Sequence, residues 1–315
     1  MDPAAILDPF QGTLVPLGEW VANLLAWLVD NHRPVFQAMK EPVASVLNTF
    51  EAILRDSPPL LIMALFTLLG WQSGGVRTAA TAFVCLMGIG LIGAWAPAMT
   101  TLAIILTAVS FCILFGIPIG ILGARSDRFE AVLKPVLDFM QTIPSFVYLV
   151  PVVMLFGIGN VPGVIVTIFY AIAPVIRLTN LGIRQVRADL VEAGRAFGGN
   201  PNQILLKIQM PLALPTVMTG VNQTIMMSLA MTVVASMISV TGLGQMVLRG
   251  IGRLDVALAT QGGLGIVLVA ILVDRISQGF GRSARQRQHR RWYQHGPIGF
   301  LVSGAVGTRG IGSAR

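Results

Sequence analysis

The chain has 315 residues, of which 54% are hydrophobic and only 11% charged, with a mean hydropathy of +0.75. Soluble domains carry about 25% charged residues, so this composition excludes an ordinary soluble enzyme and predicts an all-α polytopic membrane protein. The net charge of +8 does not mark a nucleic-acid face, because the basic residues stand beside apolar runs, where cytoplasmic membrane loops place them.

The N-terminal stretch MDPAAILDPF is acidic and has no basic region ahead of an apolar core, so no cleaved signal peptide is expected. Residues 1–57 are predicted to form an external tail with two amphipathic helices. Leu17, Trp20, Val21, Leu24, Leu25 and Leu28 recur at three and four, as on one helix face. Val43, Val46, Leu47, Phe50, Ile53 and Leu54 do the same after Glu41-Pro42, a plausible helix start. Two readings fit these stripes: helices lying on the outer membrane surface, or a self-contained helical hairpin.

Seven apolar segments follow, at about Pro59–Gln72, Val76–Trp95, Met99–Ala124, Phe139–Gly157, Val161–Leu178, Thr216–Val240 and Val256–Val273. A spanning helix needs about 20 apolar residues, and the first segment is short for that. Pro118, Pro151 and Pro174 are tolerable inside such helices. Cys85 and Cys112 lie within apolar runs without metal-ligand spacing and read as small buried hydrophobes.

Arg125, Arg128 and Lys134 follow the third segment, Arg177 to Lys207 separate the fifth and sixth, and Arg275 to Arg291 follow the seventh. The intervening WAPAM and GIGNVPG loops are uncharged. The positive-inside rule then predicts a cytoplasmic C-terminus, and seven spans put the N-terminus outside. The first 57 residues agree, with seven acids against three bases; Arg249 and Arg253, in a predicted outer loop, run against the rule. Two accessory helices are expected over residues 58–97, a five-helix core over 98–280, and a basic, disordered cytoplasmic tail over 281–315.

The polar stretch EAGRAFGGNPNQILLKIQMP interrupts this apolar half at residues 192–211. Asp189 can cap a helix with Glu192 three positions on. Gly198-Gly199 can end it. Asn200, Pro201 and Gln203 can start a second, and Pro211 disfavours its continuation. The predicted product is two short helices joined by a tight turn, which suit either a docking element or a solvated connector.

Glu192-Ala193-Gly194, then Gly198, then Ile208-Gln209-Met210-Pro211 resembles the EAA loop of ABC importer permeases, E-A-A, three residues, G, nine residues, I-x-L-P. Gly194 replaces the second alanine and Met210 the leucine. MQTIPSFVYLVPVVMLFGIGNVPG, GVNQTIMMSLAMTVVASMI and GLGQMVLRGIGRLDVALAT resemble permeases of the glycine betaine/proline type. The resemblance implies a type I, MetI-like transmembrane core, with residues 185–212 as the coupling loop seated in a separate ATPase. It also implies a homodimer, an external substrate-binding protein and alternating access.

ATP and Mg are expected on the partner ATPase, and no cofactor on this chain. Lys40, Lys134 and Lys207 precede Glu41, Pro135 and Ile208, so none completes a P-loop. No H-E-x-x-H pair or other catalytic constellation is present, and His32, His289 and His295 lie in the tails. Asp274, beside Arg275 at a predicted helix end, reads as pairing or interface anchoring. The rival readings, an ion-coupled secondary transporter or a channel subunit, would call for an ionisable midplane site or a selectivity ring. In the sixth segment Asn222, Gln223, Met226, Met227 and Met231 are candidate pathway residues, with helix packing as the alternative. Gly116 and Gly120 form a GxxxG that predicts close helix packing.

Overall fold

The computed structural model describes residues 16–281, helices joined by short connections. The helices are α1 (Leu17–Asp56), α2 (Pro59–Gly74), α3 (Val76–Leu91), α4 (Trp95–Arg125), α5 (Asp127–Thr142) and α6 (Leu149–Phe156). They continue with α7 (Asn160–Arg184), α8 (Ala188–Ala196), α9 (Pro201–Ile204), α10 (Met210–Ala235), α11 (Leu243–Arg253) and α12 (Val256–Gly281). The basic tail expected beyond residue 281 lies outside the described residues.

Among the described residues, four stretches are long and apolar enough to cross a membrane: α4, α7, the run Pro201–Ile238, and α12. They correspond to the third, fifth, sixth and seventh predicted segments. The core forms where α4, α7 and α10 pack together, and there the GxxxG expectation is met. Gly116 faces the Val175 side chain; a Cβ on Gly120 would stand 2.8 Å from the Ile176 carbonyl oxygen and 2.6 Å from Thr179 Cβ. On the far side of α7, Gly220 of α10 lies against Val175 and Pro174. Cys85 and Cys112 are free and buried.

The remaining predicted segments are not simple spans. α2 and α3 have 16 residues each, about 24 Å at 1.5 Å per residue, short of the roughly 30 Å hydrocarbon core. They pack on each other and on α12 as an appendage to the core. The fourth segment, Phe139–Gly157, breaks. Pro144 pushes Ile143 out of the helical region (φ −68°, ψ 128°), and after a 3₁₀ turn at Ser145–Tyr148 the chain leaves at 104° to α5.

The N-terminal expectation of two helices is corrected to one. α1 runs 40 residues without interruption and holds Pro34 and Pro42 inside it. Each proline forfeits one backbone hydrogen bond, but contacts on both sides of Pro42 keep the rod whole. On one side Phe36 meets Phe156 edge-on at 5.5 Å, and Lys40 Nζ donates to the Phe156 carbonyl at 3.2 Å. On the other, Val43, Leu47 and Leu54 are buried. α1 turns through 111° into α2.

The first half of α1 leaves Leu17, Trp20, Val21, Leu24 and Trp27 exposed. Replacing Trp20 and Leu24 by glutamate is therefore expected to lower self-association or transport activity while leaving the core folded, as read by native-gel migration and uptake. Unchanged migration and uptake would show that this stripe has no external contact.

Candidate functional site

The 185–212 loop is built from backbone turns upward. α8 begins at Ala188 with Arg187 as its N-cap residue, and no side chain caps it. The predicted Asp189 cap is thus displaced: Asp189 lies in the first turn and pairs with Arg187 at 2.5 Å. The Arg187 guanidinium holds the Asp189 carboxyl below its ordinary pKa, and its negative charge sits favourably at the helix N-terminus.

The predicted stop is met. Gly198 has φ +77°, the left-handed region that glycine enters without penalty. Its N–H donates to the Arg195 carbonyl at 2.9 Å, and that of Gly199 to the Gly194 carbonyl at 3.0 Å. The predicted restart is met as well. Asn200 and Gln203 form a reciprocal capping box, with Gln203 N–H donating to Asn200 Oδ1 at 2.8 Å and Asn200 N–H to Gln203 Oε1 at 3.0 Å.

Beyond that point the expectation of a second short helix fails. α9 passes through a π-helical turn at Leu205–Gln209 directly into α10. A proline ring clashes with the carbonyl four residues back in a regular α-helix, yet Pro211 does not stop the chain, since that carbonyl belongs to Lys207 within the π turn. The wider π turn lies over that point and relieves the crowding. The polar insert and the sixth predicted segment are consequently one rod, Pro201–Ile238.

The loop is fastened to the core at two places and to itself at a third. Leu205 is buried with Ile183, Ala213 and Val217, and Met210 packs against that cluster. Arg125 Nη2, at the end of α4, donates to Asn202 Oδ1 at 2.5 Å. Half-buried Ile208 lies under α8: a Cβ on Gly194 would stand 2.5 Å from Ile208 Cδ1. The departure from alanine at Gly194 therefore matches a close seat for α8 on Ile208. Gly194→Ala is expected to be nearly neutral in transport, since the obstructing atom is the end of a flexible side chain; a severe defect would mean that Ile208 cannot move.

The other face of α8 is uncovered. Glu192 and Ala193 are exposed, Leu190 is 39% exposed and Phe197 93%. Leu190, Ala193 and Phe197 stand at i, i+3 and i+7 and share a helix face. The sequence reading missed Phe197; an aromatic side chain inside an otherwise small and polar turn was its signal. Pro211 is also exposed.

Of the pathway candidates, Gln223 and Met226 lie on the open face of α10, together with Thr219. Met227 is half-buried, and Met231 is fully enclosed in the core. Asn222 is engaged by α12: its Nδ2 donates to Asp274 Oδ1 at 3.2 Å, and Ser277 Oγ donates to its Oδ1 at 2.5 Å. Gln278 also bonds Asp274, at 2.8 Å. The structure thus separates the set into an exposed pair and residues held by helix packing. Of the two expectations for Asp274, pairing or interface anchoring, the structure shows hydrogen-bonded pairing, with Asn222 and Gln278.

The opposite end of the bundle is held by Thr101, whose Oγ1 accepts from the Leu243 N–H at 2.9 Å, and by Asn160, which bonds Thr241. Arg249 and Arg253, expected in a loop, belong to the amphipathic helix α11. The basic residues Arg125, Arg184 and Arg187 gather at the α8 end, as the charge pattern predicts.

Comparison with known proteins gives a consistent result. Residues 116–286 match the binding-protein-dependent transport system inner membrane component family. The chain is 57% identical over 297 residues to the glycine betaine/proline betaine transport system permease protein ProW of Escherichia coli (strain K12), covering 94% of this chain and 84% of that protein. It is 40% identical over 275 residues to the glycine betaine/carnitine transport permease protein GbuB of Listeria monocytogenes serotype 1/2a (strain 10403S), covering 86% and 97%.

Among solved structures, an inward-facing form of the MetNI methionine ABC transporter aligns with a TM-score of 0.51 at 23% identity, over 58% of this chain and 93% of that one. That likeness shows the fold: a MetI-like core, here preceded by extra N-terminal helices. The chain belongs to the binding-protein-dependent transport system inner membrane components, as a multi-pass inner-membrane ABC transporter permease and not an enzyme.

Proposed function

We propose that the chain carries glycine betaine and proline-type osmolytes across the inner membrane as a homodimer. A separate ATPase holds ATP and Mg, and an external binding protein delivers the substrate. The ATPase seats on α8, and its closure moves the Pro201–Ile238 rod between inward-open and outward-open states. The observation that carries this reading is the uncovered apolar face of α8, mounted outside the core on a helix continuous with a membrane span. Relatives at 57% and 40% identity whose names include glycine betaine support the substrate class. Recognition of a quaternary ammonium group normally uses an aromatic cage. With 7% aromatic residues in this chain, selectivity is assigned mainly to the binding protein.

The test is uptake of labelled glycine betaine by cells lacking their own osmolyte importers, supplied with the chain, its ATPase and its binding protein. Saturable uptake that disappears when the ATPase is inactivated is expected. Uptake that survives ATPase inactivation and collapses with the proton gradient would favour an ion-coupled carrier.

The orientation proposed is an external N-terminus and the α8 end in the cytoplasm. Ser45, exposed on α1, gives the check. With Cys85 and Cys112 replaced, Ser45→Cys is expected to react with a membrane-impermeant thiol reagent in intact cells. Reaction only after permeabilisation would reverse the assignment.

A further inference from the structure

The break at Ile143-Pro144 leaves a space behind it. α5 and α6 diverge by 104°, and between α4, α5 and α7, beneath α1, lies an apolar cleft of about 570 Å³. Its floor includes the buried side chains of Val43, Leu137, Phe156 and Ile165. Its rim is open: Met39, Phe115, Val136 and Phe169 are each 45–52% exposed. Along α7 the cleft runs from Ile165 to Ile176, about 16 Å at 1.5 Å per residue.

Leu133, Leu137 and Ile176 also wall a second hollow of about 250 Å³, rimmed by Glu130, Lys134, Arg177, Asn180 and Arg184. The two spaces therefore adjoin, one apolar and one charged. The charged one lies at the end that bears α8. There Arg177 pairs with Asp138 at 2.6 Å, and Arg184 pairs with Asp127 at 2.8 Å and Glu130 at 3.0 Å. Among the described residues no carboxylate comes within ion-pair distance of Lys134. Arg177 keeps 44% of its side chain exposed beyond its one pair.

We infer that this double hollow binds a membrane phospholipid, with an acyl chain in the cleft and the headgroup phosphate on Lys134 and Arg177. An apolar cleft open to hydrocarbon fills with hydrocarbon. A basic hollow between helices at the membrane surface takes a lipid headgroup. A helix from another chain would need an apolar face for the cleft and a carboxylate for the Lys134 hollow at once, whereas a single phospholipid carries both an acyl chain and an anion. The bound lipid completes the wall that the broken fourth segment leaves open, between α1 and the α4–α7 core.

The test uses the full-length chain in phosphatidylethanolamine–phosphatidylglycerol vesicles containing a phospholipid with a photoreactive group on its acyl chain. A parallel set of vesicles carries a photoreactive diacylglycerol without a phosphate. Labelling by the phospholipid is expected to concentrate in residues 111–119 and 165–176, above that of the exposed α2 positions Leu60 and Leu65. Val136→Trp and Ile119→Trp, which fill the cleft from two sides, should each lower cleft labelling severalfold. Lys134→Glu should lower phospholipid labelling of the cleft about tenfold, the size expected for one lost charge-assisted contact, and leave diacylglycerol labelling unchanged. Uniform labelling of all lipid-facing helices would overturn the site, as would labelling unaffected by either tryptophan. Equal labelling by the two probes would overturn the phosphate contact, and cleft residues crosslinked to a second protein chain would overturn the lipid occupant.

Discussion

Gly198→Val combined with Glu192→Ala is expected to leave a permease that inserts and folds but no longer transports. A Cβ at Gly198 would meet nothing within 4 Å, so the protomer presents no clash. The cost lies in the backbone. Gly198 holds φ +77°, and for an L-residue the left-handed conformation costs roughly 1–2 kcal/mol, with β-branched residues among the worst placed. The turn would relax away from that geometry and release the Gly199 N–H from the Gly194 carbonyl. α8 would then leave its seat on Ile208 and tilt Leu190, Ala193 and Phe197 out of register with the ATPase. Glu192→Ala removes an exposed charge from the same helix without touching the core. In reconstituted vesicles the double variant should lose most uptake and most transport-stimulated ATP hydrolysis, with ATPase copurification reduced and membrane insertion normal. Gly198→Ala should fall between it and the parent. Full uptake with normal ATPase binding in the double variant would sink the coupling assignment and leave the loop an ordinary solvated connector.

The parts legible in the sequence are those whose structure is decided locally. The Asn200–Gln203 box and the glycine stop at 198–199 depend on residues a few positions apart, and the local Gly116–Gly120 spacing marks a close-packing face although its partners lie on α7. Prolines show where local reading ends. Pro118 and Pro174 stay inside α4 and α7, Pro42 stays inside α1, Pro211 is absorbed by a π turn, and Pro144 alone of these breaks its segment. The outcome turns on what packs on either side: Phe36, Lys40 and Val43 hold α1 straight across Pro42, and these partners come from α6 and from the core, far along the chain. The same reason hid Asp274, which looks terminal in sequence but meets Asn222 from a helix 52 residues away. The pathway set divided for a related reason. A 3.6-residue repeat puts Met231 on the face of α10 opposite Asn222 and groups Gln223 with Met226 between them, and composition alone does not rank those faces.

Gly120→Leu is expected to fail in the opposite manner, by loss of the folded permease itself. The glycine lies in the close contact between α4 and α7. An added Cβ would stand 2.8 Å from a backbone carbonyl, that of Ile176, and within 3 Å of two Thr179 carbons. A backbone oxygen cannot rotate away as a side chain can, so the helices must separate along their seam. Separation would strip Ile104, Ile105, Val164 and Val166, now buried to within 1%, of part of their packing. Without a hydrophobic drive between helices in lipid, that close packing is itself a main source of cohesion. Forced overpacking typically costs about 1–3 kcal/mol, and a leucine adds further atoms beyond the Cβ. The expected result is a marked fall in detergent-stable protein and in Tm for Gly120→Leu, a smaller fall for Gly120→Ala, and normal values for Gly198→Val measured alongside. If Gly120→Leu keeps parental yield and Tm, the α4–α7 seam is more compliant than these distances imply. If Gly198→Val also loses yield, its transport defect is one of folding, and the separation between a core held by α4 and α7 and a loop held by its turn does not stand.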